Sequence, residues 1–411
     1  MSAQLTQAAG GEVEEQTKKQ GGPADVSTVL NSVVAAYASD FVGREKEIRM
    51  IVLSLISKEH IYMISPPGTG KTMLRAVAES FGMKFFYYLM NYDTKLEDIV
   101  AVPKVKKVRR GDEELLDLDY ELRDPGLATA EAVFLDEMFK ANTTVLNALL
   151  GIINERVLTI GNREIKVPLW TLVGASNEVP TDASAQAFLD RFLFRDFISY
   201  LPKDLWYDYL LKYWAMHQPS YKRVKVVVPK DVLAKAYDML WTVDIYGVID
   251  DYLKVLDRLK EKGIEISDRR KGRTLKAIAA SAVLGGRDYA DITDLEVLLY
   301  TIPKDSSEAE AVAKVVDDVL GGHLKLKEEL DNIAAQIRGY MERLRTMDYS
   351  GFEKLFNDVS TMESRLIQIS VPSLSRYVEK VRKRLEELKN AAIDVLADKL
   401  IKEVVESAGN T

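Results

Sequence analysis

Ile61-Tyr-Met-Ile-Ser65-Pro-Pro-Gly-Thr-Gly-Lys-Thr72 is the stretch that decides the fold. Four apolar residues run straight into a glycine-rich loop that ends in Lys-Thr. The pattern predicts a buried strand, a phosphate-binding loop and a helix, in that order. Pro67, Gly68, Thr69 and Gly70 form the loop, whose glycines let backbone N–H groups close on a polyphosphate. Lys71 is expected to reach the β and γ phosphates, and the Thr72 hydroxyl to ligate Mg²⁺. The helix opening there adds the positive end of its dipole, and Met73 follows in its first turn. Ser65 stands where such loops usually carry their first glycine. A small residue serves at a strand end, so binding is expected to survive with an altered loop geometry.

A glycine turn alone would be ambiguous. Sixty-five residues after Lys71, however, comes Ala132-Val-Phe-Leu-Asp136-Glu137. Buried strands of a parallel sheet read as unbroken apolar runs, and this one ends in two carboxylates where it would meet solvent. In-line phosphoryl transfer needs one carboxylate for the metal and another for the attacking water. Asp136 is expected to hold Mg²⁺ through water, and Glu137 to orient and polarise the nucleophile. Together the two stretches predict an ATP site.

Composition sets bounds. A chain of 411 residues has room for two or three domains with their own cores. Its 47% hydrophobic and 29% charged content is that of a water-soluble globular protein. No apolar run reaches the roughly 18 residues needed to span a bilayer, and the N-terminus lacks the marks of a signal peptide. The absence of cysteine removes disulfides, thiolate zinc sites and thiol nucleophiles, and fits a reducing, cytoplasmic setting. His60, His217 and His323 are too scattered to form a metal site. A net charge of −7 opposes broad nucleic-acid binding.

Residues 1–24 carry no periodicity and are expected to be a disordered tail. An α/β core is expected over 25–201, where strands alternate with helices through Phe85–Leu89, the Asp136 strand and Trp170–Ser176. A helical segment follows over 202–304, its last helix opening with a capping box of Thr293 and Glu296. Over 305–411, apolar residues recur at alternating spacings of four and three in three runs: Leu326–Met347, Phe352–Ile369 and Leu374–Val395. The breaks at Asp348–Gly351 and Ser370–Ser373 predict an antiparallel three-helix domain whose seams are core, with partner docking as the alternative.

Further residues belong to the site by position. Asn177 ends the strand Trp170–Ser176 and can hydrogen-bond a γ-phosphate or the lytic water. Arg191, or alternatively Arg195, could supply transition-state charge to a neighbouring subunit. Ser267 is a candidate N-cap, with Arg269 or Arg270 able to touch bound phosphates. The basic run Lys104–Arg110 precedes acidic Asp112–Glu114, which predicts a solvated hairpin of mixed charge rather than a nucleic-acid contact.

These residues together resemble the AAA+ superfamily, specifically its MoxR family and the RavA-like branch, over about Val26 to Pro303. Phe134–Glu137, Asn147–Arg156, Val173–Glu178 and Leu189–Phe192 carry the likeness, which Ser267–Arg270 and Gly286–Tyr289 extend. The resemblance implies an αβα core with a five-stranded parallel sheet of order 5-1-4-3-2, a helical lid, and a homo-oligomeric, usually hexameric ring. It implies Asn177 as sensor 1, Arg191 as the trans-acting finger, Arg269 as sensor 2, and Val42 and Gly43 within the segment near the adenine. It also implies an insert at Ala101–Gly126 that interrupts the helix after the second strand, and a hairpin at Val157–Val167. The function implied is Mg²⁺-dependent ATP hydrolysis coupled to remodelling of a protein client, with a von Willebrand factor A domain protein as partner. Nucleic-acid remodelling and a non-hydrolysing switch are the alternatives. The short Asp348–Gly351 turn leaves no room for the globular insertion of the RavA-like branch.

Overall fold

The computed structural model describes residues 23–64, 71–110, 113–160, 163–177, 183–221, 223–321, 323–369 and 374–408. The phosphate-loop residues Pro67, Gly68, Thr69 and Gly70, and the expected tail as far as residue 22, lie outside them. The chain forms two compact units. One contains the described residues up to Tyr246 with Leu256–Ala290 and Glu296–Ala313, and the other contains Gly247–Val255, Asp291–Leu295 and Lys314 onward.

A five-stranded parallel sheet organises the first unit. Its strands are β1 (Ile61–Ile64), β2 (Phe85–Leu89), β5 (Ala132–Asp136), β8 (Thr171–Ser176) and β9 (Phe194–Phe197), in spatial order β2-β5-β8-β1-β9. Numbered among themselves, these strands give the expected order 5-1-4-3-2. β1 lies between β8 and β9, with Ile64 level with Ser176 and Phe197. All six residues of β8 are buried, as a strand covered on both faces requires.

One face is covered by a core that includes Tyr62, Phe86, Leu135, Leu149, Ile152, Phe188 and Phe192. Helix α5 (Thr143–Glu155) belongs to this layer; Asn142 caps it by accepting from the Val145 N–H at 3.1 Å. In another helical layer α1 (Pro23–Asp40) and α2 (Glu45–Ser57) pack with α3 (Lys71–Ser80), α8 (Asp231–Leu240) and α10 (Asp268–Leu284). Almost every residue of α2 after Glu45 and Lys46 is buried, so this helix is apolar nearly all round. Ser27 and Asn31 on α1 donate to the Leu284 carbonyl at 2.7 and 2.8 Å, satisfying an orphan group at the end of α10.

Two hairpins leave the sheet layer. After the four-residue helix α4 (Leu96–Ile99), β3 (Ala101–Arg110) and β4 (Glu113–Leu122) pair antiparallel; β6 (Val157–Ile160) and β7 (Arg163–Lys166) form the other. The first occupies the expected insert but does not interrupt a longer helix, because the chain after it runs through turns into β5. The expected capping box is also corrected. Thr293 donates to the Asp291 carboxylate and the Asp294 carboxylate accepts the Asp291 N–H at 2.9 Å, opening a 3₁₀ turn before the short helix α11 (Leu298–Thr301).

The second unit holds the heptad-patterned helices α13 (His323–Arg343), α14 (Tyr349–Gln368) and α15 (Ser375–Ala408), and the helix before them, α12 (Ser306–Leu320), runs into it. Leu330, Ile337, Leu355, Leu366, Val381 and Leu388 are buried on the seams. Tyr340 bonds Asp358, and Arg365 bonds Glu329 at 2.7 Å, so α13 and α14 run antiparallel. Asp348 caps α14 through the Gly351 N–H at 2.8 Å, which explains the tight break there. The second expected break, Ser370–Ser373, lies outside the described residues.

His60 is buried at the start of β1, and both ring nitrogens are bonded. Nδ1 accepts the Leu172 N–H at 3.0 Å and Nε2 faces the Ile153 carbonyl at 3.3 Å, so the neutral ring carries its proton on Nε2. Burial first, then the nearby Arg156 and Arg273 charges, hold this imidazole well below the usual value of 6.5. Below about pH 6.5 the unfolded chain takes up a proton that the folded chain refuses, so stability must fall as pH drops through that range. His60→Asn keeps an acceptor for Leu172 but cannot titrate. It should lose about 1–3 kcal/mol at neutral pH and show a flatter stability profile below about pH 6.5, measured by denaturant unfolding.

Candidate nucleotide site

The paired carboxylates stand at the carboxyl edge of the sheet, where ligands of open α/β folds bind. Asp136 is the last residue of β5, and Glu137 turns the chain with φ 51° and ψ 40°. That left-handed conformation costs a non-glycine residue about 1 kcal/mol or more, and it aims the chain into a 3₁₀ turn whose Met138 is fully buried. Gly174 of β8 makes room for Met138: a Cβ there would lie 2.7 Å from its sulfur. β5 and β8 are adjacent, so Asn177, just past β8, comes beside Glu137. The Asn177 Nδ2 donates to Glu137 Oε1 at 2.6 Å, and Lys140 Nζ stands 3.4 Å from the same oxygen. The Glu137 N–H donates to Asp136 Oδ1 at 3.1 Å, and the Tyr87 hydroxyl reaches Asp136 Oδ2 at 3.4 Å. Below them, burial pushes the Tyr62 hydroxyl up to about 12; it hydrogen-bonds Ser176 and stays protonated.

An open cleft of about 700 Å³ adjoins the first turn of α3. Thr72 and Met73 line it together with Phe41, Val42, Trp206 and Tyr213, so three residues expected at the nucleotide come together there. Gly43 has φ +67°, and a Cβ at that position would lie 2.6 Å from Leu205 Cδ1. Glycine is therefore required for the chain to turn under Leu205. The opposite wall is helix α7 (Trp206–Met216), none of whose residues is fully buried. It is tied back by Lys212, which pairs at 2.8 Å with the buried carboxylate of Asp40, a group that also accepts from Tyr221. Lys71 opens α3, and its loop partners Pro67, Gly68, Thr69 and Gly70 lie outside the described residues.

The two pairs of alternative arginines separate by burial. Arg195 is 4% exposed and donates to the Pro303 and Leu189 carbonyls at 3.3 and 3.2 Å. Arg270, also 4% exposed, donates to the carbonyls of Phe192, Leu193 and Thr301 and to Asp190. Neither can project towards a phosphate. Arg191 is half-buried in the turn before β9, and Arg269 is exposed in the first turn of α10. Ser267 caps α10 as expected, accepting the Arg270 N–H at 3.2 Å. Its hydroxyl also donates to Asp190 at 3.0 Å. Burial would raise the Asp190 carboxyl, but Arg270 and Ser267 hold it below its usual value. Sequence reasoning missed Lys140, Asp190, Arg273 and the Asp40–Lys212 pair. Lys140, three residues after Glu137, and Asp190, directly before Arg191, carried a local signal.

The basic strand is paired in register with an acidic one. In the antiparallel register Lys104 stands opposite Asp119, Lys106 opposite Asp117, Arg109 opposite Glu114 and Arg110 opposite Glu113. A strand paired this way offers little net charge to a polyanion. Among the described residues, no helix is long and apolar enough to cross a membrane, and no cluster of three metal-ligating side chains occurs.

Comparison with known proteins agrees with this geometry. Residues 28–235, about half of the chain, match the MoxR domain in the MoxR-vWA-beta-propeller ternary systems, and residues 244–316 match an AAA lid domain. An uncharacterized protein of Methanocaldococcus jannaschii is 32% identical over 376 residues, spanning 88% of this chain and 98% of its own. Chaperone MoxR1 of Mycobacterium tuberculosis is 29% identical over 187 residues, 44% of this chain and 47% of that one. The crystal structure of a protein from Cytophaga hutchinsonii, provisionally assigned as an ATPase, shares the fold. Its TM-score is 0.58 at 18% identity, over 75% of this chain and 96% of that one. These likenesses name the family, while the RavA-like branch rests on the motifs alone. With profile, relatives and strand order in agreement, the chain belongs to the MoxR family of AAA+ ATPases.

Proposed function

We propose that this chain is a cytoplasmic, Mg²⁺-dependent ATPase that works in a homo-oligomeric ring, with the hexamer as the form to test first, and that it remodels a protein client. The observation that carries the catalytic part is the 2.6 Å bond from Asn177 to Glu137 beside Asp136. It gathers one carboxylate for metal, one for water and an amide on the second, at the carboxyl edge of a phosphate-loop sheet. Lys71, with the backbone of Pro67, Gly68, Thr69 and Gly70, is assigned to the phosphates. Val42, Gly43 and Met73 are assigned to the base; Val42 and Met73 line the cleft.

Thr72 and Asp136 would hold the ion as oxygen donors, a hard and sparse set suited to Mg²⁺, which keeps several waters of its own. The ion, when bound, supplies charge that neutralises the phosphates. Glu137 then accepts a proton from the attacking water. With Oε1 held by Asn177 and Lys140, Oε2 presents its lone pairs to that water. Arg191 is assigned to a neighbour's γ-phosphate and Arg269 to the chain's own nucleotide.

The client is supported by the likeness to a chaperone and by the matched family, described with a von Willebrand factor A partner. We carry that partner over as a proposal. The acidic strand in register with Lys104–Arg110 weighs against the nucleic-acid alternative.

Glu137→Gln should bind ATP and lose turnover by about 10²-fold or more; unchanged turnover would remove Glu137 from the lytic role. Chelation of divalent metal should abolish the parent's turnover, and added Mg²⁺ should restore it. Arg191→Ala should lose the stimulation that accompanies assembly, read as turnover against protein concentration. ATP binding with no turnover in assembled parent protein would instead establish a nucleotide switch. Protein retained with Glu137→Gln, ATP and Mg²⁺ after nuclease treatment would support a protein client; partners lost on that treatment would point to nucleic acid.

A further inference from the structure

The turn that carries Arg191 is held by arginines along its whole length. The Leu189 carbonyl accepts from Arg195 at 3.2 Å, and the Asp190 carbonyl from Arg273 at 3.3 Å. Arg273 also takes the Arg191 carbonyl at 2.7 Å, while Arg270 takes those of Phe192 and Leu193 at 2.7 and 2.8 Å. Every carbonyl from Leu189 to Leu193 therefore faces a guanidinium. Two of the three guanidiniums, Arg270 and Arg273, belong to the helix α10. The Asp190 side chain completes the attachment through Ser267 and Arg270, the cap and first turn of that helix. Arg273 is itself anchored, since its guanidinium pairs with the buried carboxylate of Glu59, which Lys276 also reaches at 2.6 Å.

We infer that Arg270 and Arg273 are positioning residues for Arg191, so that helix α10 sets where one subunit's finger stands in the next subunit's site. The inference rests on the assignment of Arg191 as a trans-acting finger. Charge-assisted bonds to a carbonyl are the stronger kind, and the planar guanidinium fork fixes two neighbouring carbonyls at once. A turn held in this way moves with the helix that holds it. Arg269, assigned to the chain's own nucleotide, directly precedes Arg270 on the same helical turn. A shift of α10 on nucleotide binding or loss is thereby passed to Arg191, and the state of one site reaches its neighbour through backbone carbonyls.

The test uses the full chain under assembling conditions. Arg273→Gln removes the contacts to the carbonyls of Asp190 and of the finger residue Arg191. Arg273→Lys keeps a cation for Glu59 but not the fork, and serves if the glutamine variant fails to fold. Displacing a catalytic group by an ångström costs about 100-fold and a finger is worth more. The variants should therefore lose about 10- to 100-fold in kcat, with KM for ATP within about twofold. Assembly and thermal melting of Arg273→Lys should match the parent. Mixing either variant with excess Glu137→Gln protein, which cannot turn over but presents an intact Arg191, should restore turnover at the variant's sites. Unchanged kcat, or a loss that mixing does not restore, would overturn the inference. Arg191→Ala is run alongside. If it retains full turnover, the finger assignment falls and takes this inference with it. If it is inactive while the Arg273 variants are not, the positioning role alone is wrong.

Discussion

The hydrogen-bonded ladder that places β1 between β8 and β9 is the constraint on which the other features depend. A parallel strand in that position is buried on both faces, so helices must cover both sides of the sheet. The chain then leaves all its strands at one edge. Register does the rest: Ile64 level with Ser176 brings the end of the phosphate-loop strand beside Asn177, and Leu135 level with Gly174 brings Asp136 and Glu137 there as well. A one-residue slip would turn each of these side chains to the opposite face.

Around that sheet the interior carries more charge than a small-molecule site needs. Glu59, Asp196 and Arg270 are all at least nine-tenths buried, and isolated charges of that kind would be strongly unfavourable. Here each is paired, Glu59 with Arg273 and Lys276, Asp196 with Lys46, and Arg270 with Asp190. Such pairs add little net stability over apolar packing, because desolvation offsets most of the attraction. What they add is directional. Two of the paired arginines, Arg270 and Arg273, also hold named carbonyls of the turn before β9 in place, which apolar contacts cannot do.

The heptad helices follow simpler rules. Their seams are spaced by four and three, they bury Leu, Val and Ile along those seams, and their polar partners fix the antiparallel sense of α13 and α14. The long β3–β4 hairpin is likewise understandable from its own residues once the register is known. Basic and acidic runs that look separate along the chain become cross-strand neighbours.

Much of this was legible in the residues themselves. Strands of the sheet announced themselves as apolar runs leading into the phosphate loop or ending in Asp136-Glu137, and the heptad spacing marked out the C-terminal helices, because these patterns depend on neighbours within a few residues. The order of the strands came from family likeness rather than from local pattern. Choosing Arg191 over Arg195, and Arg269 over Arg270, was beyond any local pattern. All four are arginines beside helix ends or strand starts, and only packing decides which guanidinium is buried against carbonyls and which remains accessible. The pairing of Asp190 with Arg270, eighty residues away, and of Glu59 with Arg273 belongs to the same class. Sequence by itself determined the elements and the chemical groups at the site. Tertiary structure decided which charges remain accessible and which hold the framework, since burial and partner geometry are set by segments distant along the chain.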